Sequence, residues 1–216
     1  MKLVLFDCDG TLVDSADVIH KCMAAAFNDH GFSAPSLADT KSIIGLSLHD
    51  AISDLLAGQQ ISDLDRMVQD YKDHFFKIRT SENLLEPLYD GVADLLDQLH
   101  KIDEVILGIV TGKSRRGVNA ILDGHGLRSH FVTSRTADDC PSKPHPAMVL
   151  ECCDEVGIAP QNAIVIGDAT FDMQMAQNAK AKSIGVDWGY ASVAELERTG
   201  ANQIVSKPSE IFDIIR

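Results

Sequence analysis

The densest chemistry lies near the start of the chain, where Asp7-Cys8-Asp9-Gly10-Thr11-Leu12-Val13-Asp14-Ser15 follows an apolar run at 3–6. Two carboxylates two positions apart, at the C-terminal end of a buried strand, stand where open α/β sheets bind ligands, and Gly10 permits the tight turn that opens the loop. A bare pair of aspartates would be ordinary turn residues; the extended motif after an apolar strand favours a functional site. Three later clusters share this placement. Thr111-Gly112-Lys113 follows the run 105–110, Lys143-Pro144-His145-Pro146 precedes a helix that Pro146 would start, and Gly167-Asp168-Ala169-Thr170-Phe171-Asp172 follows the run 163–166. Each alone is turn chemistry or a solvated lysine. Their shared order and placement single them out.

The elements that must position these residues are legible as short β-branched runs at 3–6, 105–110, 131–133, 163–166, 183–186 and 203–205, each predicting a buried strand. Helical stripes separate most of them, such as Val92, Leu95, Leu96 and Leu99, or Val149, Cys152, Cys153 and Val156 closed by Gly157. Alternating strand and helix implies an α/β fold with a mostly parallel sheet covered on both faces. Residues 15–85 break the rhythm: Val18, Ile19, Cys22, Met23, Ala26 and Phe27 form one helical stripe, and Leu64, Val68, Tyr71, Phe75 and Ile78 another, with no strand between. This predicts an all-helical insertion that returns at Glu86-Pro87, because the residue before proline is pushed away from helix. Hinge motion is expected at the two crossings, Asp14-Ser15 and Glu86-Pro87.

Composition narrows the function. With 19 Lys+Arg against 32 Asp+Glu in 216 residues, the formal charge is −13, which disfavours a nucleic-acid partner. A hydrophobic share of 45% supports a real core. The five cysteines are odd in number and lack C-x-x-C spacing, so neither a disulfide framework nor a structural zinc is indicated. The opening MKLVLF is too short for a signal-peptide core, and no stretch approaches the roughly 18 apolar residues of a membrane span, so a soluble cytoplasmic protein with no membrane partner is expected.

With these motifs in order, the chain resembles the haloacid dehalogenase superfamily of phosphohydrolases along its whole length, and within it the branch holding phosphoglycolate phosphatases and β-phosphoglucomutases. The resemblance implies a Rossmann-like core from residues 1–14 and 86–216 with a helical cap inserted at 15–85. It implies Asp7 as nucleophile forming an aspartyl-phosphate, and Asp9 as the acid/base that protonates the leaving oxygen and later deprotonates water, its pKa raised by neighbouring carboxylates. Asp9 is also the acid that dehalogenases of the family lack, which disfavours dehalogenation. Thr111 and the Gly112 amide would hold phosphoryl oxygens, Lys143 would neutralise charge beside Asp7, and the amides of Gly10 and Thr11 would complete the cradle. Crowded acids call for a hard cation, so Mg²⁺ is expected on the Asp7 carboxylate, the Asp9 carbonyl and Asp168, with Asp172 orienting or completing the shell. The implied reaction is Mg²⁺-dependent hydrolysis of a small phosphomonoester, such as phosphoglycolate or a sugar phosphate, by a monomer or small homo-oligomer.

Rival readings have their own signatures. A phosphosugar mutase on this scaffold often carries Val after Asp-Gly, where Thr11 stands here, which leans toward hydrolysis. A receiver-type signalling module places its acceptor aspartate after a later strand and has no helical insertion. A non-catalytic phospho-ligand binding protein need not keep every catalytic residue. The stretch 108–114 imitates a P-loop but has three residues between its glycines where four are needed. Cys8 should point away from both acids as a packed thiol. His145 is open between cleft and surface, and 43–49 between a substrate-contacting loop and a plain helix connection. Lys113, Arg115 and Arg116 read by default as a solvated helix face, with steering of an anion as the alternative.

Overall fold

In β1 (Lys2–Phe6), Leu3 and Leu5 pack into one hydrophobic cluster and Val4 and Phe6 into another, so both faces of the strand are covered and every second residue changes side. The structure, a computed structural model, describes residues 1–81 and 84–216; residues 82 and 83, inside the expected insertion, lie outside the described residues. After β1 come four helices in succession: α1 (Ala16–Asp29), α2 (Leu37–Ile43), α3 (Leu48–Leu56) and α4 (Leu64–Ser81). The alternation then resumes with α5 (Val92–Leu99), β2 (Val105–Val110), α6 (Arg115–Gly124), β3 (Phe131–Arg135), α7 (Ala147–Val156), β4 (Ala163–Gly167), α8 (Thr170–Ala179), β5 (Lys182–Val186), α9 (Val193–Arg198), β6 (Gln203–Val205) and α10 (Pro208–Ile215).

The six strands form one sheet in the order β3-β2-β1-β4-β5-β6, every pair parallel, as expected from the sequence. β1 is central, with β2 on one side and β4 on the other, so the strand order reverses around it and opens a crevice beyond its carboxyl end. On one face lie Leu95, Leu96 and Leu99 of α5 with Ile211 and Ile215 of α10; on the other, Met148, Val149 and Cys152 of α7 with Met175 and Ala176 of α8. Gly157 takes a left-handed φ of 68° after α7, in the role its position suggested.

The four inserted helices have their own apolar centre, built from Met23, Ala26 and Phe27 of α1, Ile52 of α3 and Met67 of α4. Helices α2 and α3 begin at Ser36 and Ser47, whose hydroxyls accept from the amides of Asp39 and Asp50. Residues 44–47 connect them, and this connection rests on the sheet unit: the Ser47 amide donates to Ser142 Oγ at 2.8 Å, and the Gly45 and Leu46 carbonyls occupy the space a side chain on residue 112 would need. No helix among the described residues is long and apolar enough to cross a membrane.

Candidate active site

Asp7 follows β1, Thr111 follows β2 and Asp168 follows β4, so the parallel register delivers all three to one end of the sheet. Asp7, Asp168 and Asp172 are fully buried, and each offers a carboxylate oxygen within 4.8 Å of the others. Lys143 reaches them from the loop before α7: its Nζ lies 2.9 Å from Asp7 Oδ1 and donates to Asp172 Oδ1 at 2.6 Å. The 2.9 Å contact to Asp7 is a close, charge-assisted pair, and among the described residues no other donor reaches the Asp7 carboxylate.

Asp168 and Asp172 are held more fully. Asp168 accepts from Thr11 Oγ1 at 2.9 Å and from the Tyr190 amide at 2.9 Å, and Asp172 accepts from the Ala169 amide at 3.1 Å at the start of α8. Burial pushes the Asp7 carboxyl up to about 6; Lys143 pulls against this and Asp172 adds to it. Burial, with Asp7 and Asp172 adding to it, holds Asp168 well above the usual carboxylate range. Lys143 stays charged despite burial because Asp172 and Asp7 outweigh the desolvation. Three crowded, buried carboxylates form an oxygen donor set that suits a hard divalent cation, so the residues present fit the expected metal.

Thr111 is buried; its Oγ1 accepts from the Lys113 amide at 3.2 Å, leaving its proton free to donate. Gly112 is seated against the 45–46 connection. Gly10 takes a φ of +86° and passes so close to Asp168 that a side chain there would collide with its carboxylate. Its amide donates to the Val13 carbonyl at 2.9 Å, and that of Thr11 to the Cys8 carbonyl at 3.4 Å. Both amides thus bond inside the loop in this structure, and the Thr11 hydroxyl donates to Asp168.

Asp9 stands in a different setting from the other acids. The expectation was crowding by carboxylates; instead its Oδ1 accepts from Lys113 Nζ at 2.6 Å and from Ser15 Oγ at 2.6 Å. Lys113 also lies 3.4 Å from Glu86 Oε1, while Arg79 of α4 donates to Glu86 Oε2. The default reading of Lys113 as a solvated side chain is thus overturned: it is 8% exposed, and Asp9 and Glu86 outweigh burial to hold its pKa above the ordinary lysine value. Sequence reasoning missed this group because its members, 9, 79, 86 and 113, share no spacing. Arg115 pairs with Asp139 away from the site, and Arg116 lies over the Phe76 ring. Cys8 is packed in the core, where burial pushes its thiol up. His145 is exposed, its Nδ1 accepting the Ala147 amide, and takes no part.

Asp7, Asp9, Thr111, Gly112 and Lys113 form the polar floor of a cavity of about 620 Å³ roofed by α1, α4 and the connection 44–47. The haloacid dehalogenase-like hydrolase family model matches residues 4–186, and the chain belongs to that family. It is 30% identical to a phosphoglycolate phosphatase of Chromobacterium violaceum and 30% identical to the pyrophosphatase PpaX of Bacillus mycoides, each alignment covering 100% of this chain and 97% of the relative. The fold is that of a haloacid dehalogenase-like family hydrolase from Streptococcus pneumoniae, with a TM-score of 0.85, 24% identity, and coverage of 100% and 99% of the two chains.

Proposed function

We propose that this hydrolase is a Mg²⁺-dependent phosphatase of small phosphomonoesters that works through an aspartyl-phosphate on Asp7 and acts in the cytoplasm. The observation that carries the reading is the Asp7 carboxylate, buried on the cavity floor with Lys143 at its side and the Asp168 and Asp172 carboxylates within 4.8 Å. Desolvated and held by Lys143 at the end of β1, it would serve as the nucleophile. The Asp7 and Asp168 carboxylates, with the Asp9 main-chain carbonyl and Asp172 beside them, would hold Mg²⁺. When bound, the ion neutralises phosphoryl charge and the repulsion among the acids.

An Asp7 oxygen bonds to phosphorus as the bond from phosphorus to the leaving oxygen breaks, and Asp9, carrying the proton it took from water in the preceding turnover, supplies the proton that the departing alcohol needs. Water then attacks phosphorus, Asp9 takes its proton, and Asp7 and inorganic phosphate are released. Thr111 and the Gly112 amide are placed at the floor to donate to phosphoryl oxygens, while Lys143 offsets charge on Asp7. Residues 15–85 act as a cap, closing water out from above. Phosphoglycolate and pyrophosphate, the substrates in the names of the two relatives, are the first to try. Phosphate release from p-nitrophenyl phosphate and acetyl phosphate, with Mg²⁺, with EDTA and with Asp7→Asn, tests the reading. Turnover requiring both metal and Asp7 is expected, and turnover that survives Asp7→Asn would sink it.

A further inference from the structure

The floor of the cavity is polar, but its walls change character beside Asp9. Lys113, bonded to Asp9, lies 5.4 Å from the centroid of the Phe75 ring, and with Phe75 the apolar part of the lining comprises Val68 of α4, Met23 of α1, and Ile43 and Leu46 of α2 and its following connection. Asp9 is the group that meets the departing oxygen, so the leaving group's body must lie along this wall. A volume of about 620 Å³ falls within the roughly 300–1,000 Å³ of sites that enclose drug-sized ligands, and a two-carbon acid would leave most of it empty. The charges also argue against a short acid. Of the cations that line the cavity, Lys113 and Arg79 pair with Asp9 and Glu86, whereas Lys72 and Arg116 are exposed. A carboxylate placed two carbons from phosphorus would meet the already paired Lys113 first, and the unpaired cations of the lining, Lys72 and Arg116, are exposed to water, where they attract it less.

Resting on the phosphatase reading, we infer that the preferred substrate is a phosphomonoester with an uncharged, apolar leaving group of ring size, seated against Phe75, Val68 and Leu46. Glycolate and a second phosphate are the poorer fits. Methyl phosphate, phosphoglycolate and benzyl phosphate separate the possibilities, because the two primary alcohols, glycolate and benzyl alcohol, are similar leaving groups and differ in body. Burial of a ring at the usual area coefficient predicts a kcat/KM for benzyl phosphate about 100-fold above that for methyl phosphate, and above that for phosphoglycolate.

Val68→Asn and, separately, Leu46→Asn should each reduce the benzyl-to-methyl ratio about tenfold, with circular dichroism and thermal melting confirming the fold. Two variants on different elements guard against one failing to fold. Equal kcat/KM for benzyl and methyl phosphate, or a higher value for phosphoglycolate, overturns the inference while acetyl phosphate hydrolysis keeps the phosphatase reading standing. Failure to hydrolyse any of these, acetyl phosphate included, overturns the phosphatase reading and the inference with it.

Discussion

At the scale of single residues, the most informative group is a carboxylate held where it is least comfortable. Asp7 is raised to about 6 chiefly by burial, so folding without a metal opposes its ionisation. Because the folded pKa lies above the unfolded value, the folded state binds the extra proton between the two. Stability from this group is present below about pH 4 and is lost as pH rises through about 6. Asp7→Asn should therefore stabilise the metal-free protein at pH 8 by on the order of 1–3 kcal/mol, a rise of roughly 2–4 °C in Tm per kcal/mol, with the gain shrinking to nothing toward pH 4. Melting in EDTA across that range checks it; a lower Tm for the variant at pH 8 would show that Asp7 contributes more through Lys143 than it loses through burial. Asp7, Thr111, Lys143, Asp168 and Asp172 were all legible in the sequence because each stands at a strand end or helix start inside a short contiguous motif. Glu86 and Lys113 were not, because what gives them their roles is each other and Asp9, contacts between distant segments that no local pattern encodes.

At the scale of elements, the inserted helices are tied to the sheet at both crossings and at one loop. Ser15, at the first crossing, donates to Asp9; Glu86, at the second, links Arg79 of α4 to Lys113. Lys113→Met would leave the buried Asp9 without its cation and Glu86 with Arg79 alone, which should cost about 3–5 kcal/mol. Adding Glu86→Gln should return part of that loss, so the double variant unfolds at higher urea than Lys113→Met alone; a simple sum of the two single effects would mean the groups are not coupled. The loop contact makes a separate demand. A methyl on residue 112 meets the Gly45 and Leu46 carbonyls, so Gly112→Ala should lift the 44–47 connection, lower kcat/KM about tenfold or more and speed amide exchange there, with little change in Tm. The six strands were legible from their β-branched runs, as were the long stripes of α1 and α4. Helices α2 and α3 were not, because 43–49 was read only as a loop or helix connection; the available signal was a serine with an aspartate three residues on.

At the scale of the whole molecule, the charge of −13 surrounds a site that takes an anion. Lys143 is offset by Asp7 and Asp172, and Lys113 by Asp9 and Glu86, so the buried lysines neutralise acids and leave little net positive field at the cavity mouth. A phosphomonoester dianion then approaches against the field of the whole protein until it is within a few ångströms of the floor. That field reaches about 30 Å at 10 mM salt and about 8 Å at 150 mM. Raising NaCl between these limits at fixed Mg²⁺ should therefore raise kcat/KM for a dianionic ester by about 2- to 5-fold, through KM more than kcat, the reverse of the salt dependence of proteins that bind polyanions. A fall over the same range would show that the exposed Lys72 and Arg116 at the rim focus the substrate more strongly than the molecule as a whole repels it. Removing both rim cations would then abolish the salt effect, whereas under the whole-molecule account their removal makes the rise steeper.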